Sequence, residues 1–451
     1  MNTGPGLIRD VVPRVLFHAP LKPHAEVLRE VENSQAIGGM RNPRLAVDRL
    51  GLAKCGHLVR DVIDTFIDER PHLTDDCMKA IGDASHTGPT DHDIAQLNAR
   101  IKSALPEKAS LPEQHPDVDA EMDAELLEAW RLSAGDIDCH VGPWLRTGSP
   151  AGIDVDYDIC GVFPETAKET EAFEPVFYTD DFENYDSVDG DPASEAEITK
   201  LLESGYFDVF DTISEVKAKL GADPIMSKLK MITKIVNIEV TKRRIILDCL
   251  TSGANGKAVQ RERIILPKIT DVVTDVLNKL LVCKNDQTVQ QLILDFKDAF
   301  FQVPLNPAER YCFVAKFKTK FIVWRRVAQG SKNGPQAWGR VSALVGRLAQ
   351  SLFSSDELDL QIYTDDPVAT IAGSKQQVNR YITILVLAWR ALGLRLAFSK
   401  GQVGDKTTWV GHDIVIDNAA KSVTVAIKKE YLDDLTTTTK ELLAVNKISR
   451  R

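Results

Sequence analysis

Two apolar runs in this chain each end in aspartate. QQLILD (290–295) sets Asp295 at the end of one, and LQIYTDD (360–366) sets Asp365 and Asp366 at the end of the other. Short β-branched and apolar runs closed by a polar turn read as buried strands. The second continues into Pro367 and a further apolar run, so it reads strand, acidic turn, strand. Between them lies GPQAWGRVSALVGRLAQSLF (334–353), with Val and Leu at helical spacing. Such a helix is long enough to cross a sheet and return the second strand beside the first. Carboxylates at the ends of neighbouring strands then converge. Converging carboxylates repel one another unless cations sit among them, and hard oxygen ligands suit Mg²⁺. Two such ions about 3.5–4 Å apart stabilise both the attacking and the leaving oxygen of an in-line phosphoryl displacement.

The rest of the C-terminal half follows the same plan. KRRIILD (242–248) reads as a strand, and RYCFVAKF (310–317) with KFIVWRRV (320–327) reads as a hairpin. SKQQVNRYITILVLAWRALG (374–393) is a second long helix, and SEAEITKLLESG a shorter one opened by Ser194 as N-cap with Glu197 at capping-box spacing. Helices alternating with antiparallel strands predict an α+β layered fold. Upstream, RLAVDRLGLAKCGHLVRDVIDTFIDE (44–69) and EMDAELLEAWRLSA (121–134) are helix-like. Residues 104–120 are Pro-rich and acidic, 142–158 are rich in Gly, Pro and Asp, and 165–193 are dense in acid, so this stretch reads as linker.

At 451 residues and 43% hydrophobic content, the chain is long and apolar enough for about two to four domains with a sizeable core. No run reaches the ~18–20 uncharged apolar residues of a membrane helix, and the N-terminus lacks a secretory signal pattern. Seven scattered cysteines, none in CxxC spacing, predict reduced thiols in an intracellular protein, cytoplasmic or nuclear. The net charge of −10 hides an asymmetry. Residues 221–451 hold 35 basic and 22 acidic side chains, a net of +13, whereas 1–220 hold 20 and 43, a net of −23. The first figure favours a polyanionic partner. The second reads as solubilising surface.

Six segments, in order, resemble the motifs of reverse transcriptases, especially those of LTR and DIRS-like retroelements. KRRIILDCLTSGAN (242–255) is similar to the fingers strand that meets the incoming triphosphate. LDFKDAFFQVPL (294–305), AQGSKNGPQAW (328–338) and YTDD (363–366) resemble the first three palm motifs. GLRLAFSK (393–400) resembles the fourth, and WVGHDI (409–414) the primer-gripping hairpin. The resemblance spans roughly 195–445. It implies a right-hand polymerase: residues 194–427 as fingers and palm, 428–451 as the start of a truncated thumb. Ahead of these lie a helical N-terminal region (1–110) and an acidic Pro/Gly/Asp-rich linker region (111–193).

The resemblance also implies roles. Asp295, Asp365 and Asp366 would hold two Mg²⁺ ions, with Mn²⁺ as a substitute. Phe300 sits where an aromatic abuts the sugar and leaves no room for a 2′-OH; a core ring paired with Phe301 is the alternative. Arg244 would clamp phosphates, since guanidinium offers forked donors, with Lys242 and Arg243 as alternatives. Tyr363, Gln329 and Gly330 would line the nucleotide pocket, the glycine permitting close backbone approach. Asp298 would act structurally or through its backbone. Lys400 would protonate leaving pyrophosphate, or is a plain surface lysine. The implied partners are an RNA/DNA template-primer, dNTP and other retroelement proteins, with no membrane. The implied activity is RNA-directed DNA polymerisation, a nucleotidyl transfer from dNTP to a primer 3′-OH. Three departures (Ala328 for the usual Pro, Gly334 for Ser, Pro367 for an aliphatic residue) support the alternative of a decayed, nucleic-acid-binding remnant. A third reading gives residues 1–110 a capsid-like or interaction role. A full thumb, an RNase H domain, a protease motif and a CCHC knuckle are not recognised, and reduced processivity is expected.

YTDD occurs twice, at 363–366 and at 178–181. Only the first copy has an apolar strand before it, an apolar run after it and a partner aspartate. Asp180 and Asp181 sit among further acid and read as a solvated loop. Asp180→Asn with Asp181→Asn is therefore expected to leave primer extension unchanged, whereas the same double change at 365–366 abolishes it.

Overall fold

The computed structural model describes residues 14–18, 38–166, 174–188, 190–236 and 239–445. The rest of the N-terminal region and residues 446–451 lie outside the described set. After β1 (Arg14–His18) come six helices: α1 (Pro43–Leu50), α2 (Ala53–Glu69), α3 (His72–Ala80), α4 (Asp91–Ala104), α5 (Ala124–Ala134) and α6 (Val141–Thr147). Then α7 (Pro192–Glu203) leads to β2 (Phe207–Phe210) and the hairpin β3 (Lys228–Val236) and β4 (Glu239–Asp248). Next are α8 (Ile269–Val282), β5 (Thr288–Ile293) and the hairpin β6 (Val314–Phe317) and β7 (Lys320–Trp324). They are followed by α9 (Gly334–Gln350), the hairpin β8 (Leu358–Tyr363) and β9 (Asp366–Gly373), and α10 (Lys375–Ala391). The chain closes with β10 (Gln402–Gly404), β11 (Lys406–Trp409), β12 (His412–Asp417), β13 (Ser422–Ile427) and α11 (Lys429–Val445).

The expected α+β architecture forms, with every named strand pairing antiparallel. The central sheet has the order β10-β5-β9-β8. It is buried on both faces, which explains why its strands read as continuous apolar runs. On β5 and β9, Leu292, Ala369 and Ile371 face the core built with α9 and α10. The alternate residues Val289, Ile293, Val368 and Ala372 face α8 and the second sheet, β1-β13-β12-β11. One detail differs from expectation. The strand beside β5 is β9, which follows the YTDD turn, and β8 lies beyond it. The long helix returns a hairpin to the sheet, and it is the hairpin's second arm that pairs.

The stretch 111–166, expected as linker, instead packs into the main core. Trp130, Trp144, Tyr157 and Phe163 are buried in the same cluster as Trp338 and Trp389 of α9 and α10. Residues 38–110 join that core too; at Gly56 of α2 a Cβ would stand 2.0 Å from the Ser351 carbonyl oxygen, a backbone approach only glycine permits. The helix expected over 44–69 is two helices, broken at Gly51 with φ 69°. Ser194 is not the N-cap of α7. Asp191 caps it, accepting from Ala193 and Ser194 N–H, because Pro192 presets the first helical turn.

The charge asymmetry resolves into ion pairs between the two halves. Arg340 and Arg347, both fully buried on α9, pair with Asp138 and Asp136 from the loop after α5. Arg347 grips Asp136 with two hydrogen bonds of 2.6 and 2.8 Å. In the opposite direction the buried Glu309 carboxylate accepts N–H bonds from Ala151, Ile153 and Asp154 at 2.6–2.9 Å. Nearer the surface, Asp64 and Asp68 pair with Arg380, Asp91 with Arg390, Asp119 with Arg325 and Arg326, and Asp154 with Lys257. The acid is thus more than solubilising surface, and part of the base is neutralised inside the chain.

Breaking a buried pair by removing one partner costs about 3–5 kcal/mol, because the other charge is stranded. Asp136→Ala is expected to cost that much in urea unfolding followed by tryptophan fluorescence, with Asp136→Leu plus Arg347→Met recovering most of it. Burial pushes the Asp136 carboxyl up, but the Arg347 guanidinium outweighs burial and holds it below the usual carboxylate range. A carboxyl lowered on folding stabilises the fold above its unfolded pKa, about 4, and that stability fades as pH falls through the folded value.

Candidate active site

Three segments cross at the end of the central sheet. Beyond β5 the chain continues extended: Leu294 N–H donates to the Pro367 carbonyl at 3.1 Å and Phe296 N–H to the Asp365 carbonyl at 2.8 Å. On its other side Ala397 N–H donates to the Asp295 carbonyl at 2.8 Å. Asp295, 9% exposed, is therefore held between the YTDD turn and the segment leading to Lys400. The Lys400 ammonium donates to its carboxylate at 2.7 Å.

The YTDD turn is strained. Tyr363 pairs with Asp366, leaving Thr364 and Asp365 at the tip, and Thr364 has φ 55°. A β-branched residue in the left-handed region costs about 1–3 kcal/mol and persists only where its surroundings enforce it. Two indoles do so here: Trp338 Nε1 donates to the Thr364 carbonyl at 2.7 Å, and Trp409 Nε1 to the Asp366 carbonyl at 3.0 Å. Pro367 does not break β9. Its carbonyl takes part in the sheet, and the strand runs on to Gly373.

An open cleft of about 560 Å³ lies over this crossing. Asp295, Asp365, Lys400 and Phe300 line it, with Arg244, Gln329 and Gly330 from the facing wall. Phe300 is half-buried and turned to the cleft; the aromatic partner of Phe301 is Tyr206, stacked at 4.6 Å and 15°. Arg244 and Arg243 are both exposed on the rim; the side chain of Lys242 lies outside the described set. Gly330 has φ 115°, and a Cβ there would stand 2.0 Å from the Leu247 carbonyl oxygen. Its close approach is to β4, where Leu247 N–H donates to the Gln329 carbonyl at 3.0 Å.

Two expected residues stand off the cleft wall. Tyr363 packs edge-on against Trp409 at 6.0 Å, and Asp366 opens β9. The two members of the doublet are thus carried differently, Asp365 by the turn tip and Asp366 by the first position of β9. Among the described residues no three carboxylate, imidazole or thiol groups converge as a metal-ligand set. The second YTDD copy behaves as expected of a loop, with Asp180 and Asp181 exposed in a turn. The sequence pattern does not single out Trp338, Trp409 or Tyr206. The two indoles lie inside quoted motifs, but nothing in the linear pattern shows which carbonyl an indole meets.

Residues 234–414 match the family model for reverse transcriptase (RNA-dependent DNA polymerase). The chain carries a reverse transcriptase domain. All six motif segments fall inside the matched range. Among solved structures the chain is similar to a foamy viral protease-reverse transcriptase in complex with dsDNA, at 14% identity over 62% of this chain and 50% of that one, TM-score 0.40. A second structure of it, in complex with an RNA/DNA hybrid, is 15% identical over 59% and 30%, TM-score 0.38. The chain thus spans half or less of the length of these proteins. Among the described residues of this reverse transcriptase domain and its flanks, no helix is long and apolar enough to cross a membrane.

Because a methyl group at position 330 has no room, Gly330→Ala is expected to push β4 off the cleft wall. Thermal unfolding should show a loss of about 2–4 kcal/mol, while Ala328→Pro, the residue usual at that motif position, should not.

Proposed function

We propose that this chain is the RNA-directed DNA polymerase of a retroelement, extending a primer 3′-OH with dNTP on a nucleic-acid template. One observation supports this most: a single cleft gathers Asp295, Asp365, Lys400, Phe300 and Arg244, drawn from four separate motif segments. Triphosphate would be met by Arg244 and Arg243, whose forked donors suit phosphate oxygens. The Phe300 ring would exclude a ribose 2′-OH. Lys400 would give its proton to departing pyrophosphate.

The donor set also fits divalent cations. Asp295 and Asp365 offer oxygen ligands only, as Mg²⁺ or Mn²⁺ requires, and Asp295 already carries a cation, the Lys400 ammonium, at 2.7 Å. Bound metal would add Lewis-acid charge at the attacking and leaving oxygens. The template-primer would be held mainly through phosphates by cations without an internal acid partner. The foamy viral structures, solved with dsDNA and with RNA/DNA hybrid, are in keeping with such a partner. Residues 428–451 would begin a thumb.

A second reading is a catalytically silent, nucleic-acid-binding remnant. It draws on Asp366 being carried by β9, outside the cleft lining that holds Asp295 and Asp365. A homopolymer RNA template with DNA primer and labelled dNTP separates the two. Incorporation that needs Mg²⁺ or Mn²⁺ and vanishes in Asp365→Asn is the expected result. Template binding without incorporation by the intact chain would replace the enzyme with the remnant.

A further inference from the structure

Three polar side chains beside the cleft have no part in the reaction just proposed. Tyr206, 2% exposed, follows α7 and stacks on Phe301. Its hydroxyl accepts from Arg395 Nη1 at 2.7 Å and donates to Asp298 Oδ2 at 3.2 Å. Burial pushes the phenol above its usual range, so it keeps the proton it donates. Asp298 is in the left-handed region, φ 53°, and begins the tight turn Ala299–Gln302 that carries Phe300.

Arg395 ties the other end of that turn. Its N–H donates to Gln302 Oε1 at 3.1 Å, its carbonyl accepts from Lys297 N–H at 3.0 Å, and its side chain also pairs with Glu121 at 3.2 Å. Five residues on is Lys400. A single phenolic hydroxyl therefore joins the segment before β2, the turn bearing Phe300 and the segment bearing Lys400.

We propose that Tyr206 is a positioning residue for the sugar pocket: its hydroxyl, held by Arg395, fixes Asp298 and with it the turn that presents the Phe300 ring to the incoming nucleotide. This rests on the reading of the cleft as a nucleotide site. Phe300 is only half-buried, so its ring follows the backbone that carries it. A looser turn lets the ring yield to a 2′-OH, so discrimination between deoxy- and ribonucleotide falls before the chemical step does.

Tyr206→Phe keeps the stack on Phe301 and removes only the hydroxyl. In the full chain, the preference for dATP over ATP in kcat/KM on a primed template should drop about five- to ten-fold, the scale of one net hydrogen bond. KM should change more than kcat, and the unfolding midpoint should hold. Arg395→Gln should lower the same ratio, and the double variant should lower it no further, since both act through one hydroxyl. Where Tyr206→Phe melts early, Arg395→Gln decides by that ratio. An unchanged ratio in a folded variant, or an equal loss for both nucleotides, overturns the proposal. If the wild-type chain incorporates neither nucleotide, the polymerase reading is what fails. The positioning role is then read from equilibrium binding of dATP and ATP, and equal binding by the wild-type chain overturns it too.

Discussion

Two buried guanidinium–carboxylate pairs set the frame for everything else. Arg340 and Arg347 lie two turns apart on α9, fully buried, and their partners Asp138 and Asp136 come from a loop some two hundred residues earlier. A charge taken out of water without a partner is far costlier than the pair. The helix therefore cannot take its place in the core unless the earlier loop is there. The same helix carries Trp338, whose indole holds the strained Thr364. Acid from the first half of the chain is in this way linked, through one rigid helix, to the backbone geometry at the cleft.

The cleft is built by backbone more than by side-chain contacts. Asp295 is placed by main-chain bonds to residues on both flanks, and Asp365 by a two-residue turn with one residue in an unfavourable conformation. Gly330 brings its own backbone against β4, which carries the rim arginines. Such an arrangement tolerates little displacement. A shift in any of the three crossing segments moves a carboxylate, whereas a change of exposed side chain does not.

The electrostatics follow from the same packing. Taken as sums, the two halves are a polyanion and a polycation. Folded together they neutralise each other across their contact surface, as at Arg380, Arg390, Arg325 and Lys257. What faces the cleft rim is the smaller set around Arg243 and Arg244. Surface pairs of this kind add little stability each. Their consequence is a narrower basic surface than the sums imply.

Much of this was legible in the linear chain. The buried strands, the long helices and the β6–β7 hairpin follow from the period of apolar residues, because a strand or helix must bury one face whatever surrounds it. The acidic ends of two strands, with the motif order around them, point to Asp295, Asp365, Lys400, Phe300 and Arg244, and the fold brings these five around one cleft. Tertiary structure alone decided the rest. Whether Asp366 joins Asp365 depends on where a two-residue turn points each carboxylate. That 111–166 is core depends on a pairing of Asp136 and Asp138 with two arginines that look like ordinary polar positions on α9. Periodicity records which face is apolar, but it carries no term for which distant charge completes a buried pair, and that choice is made only when the chain closes on itself.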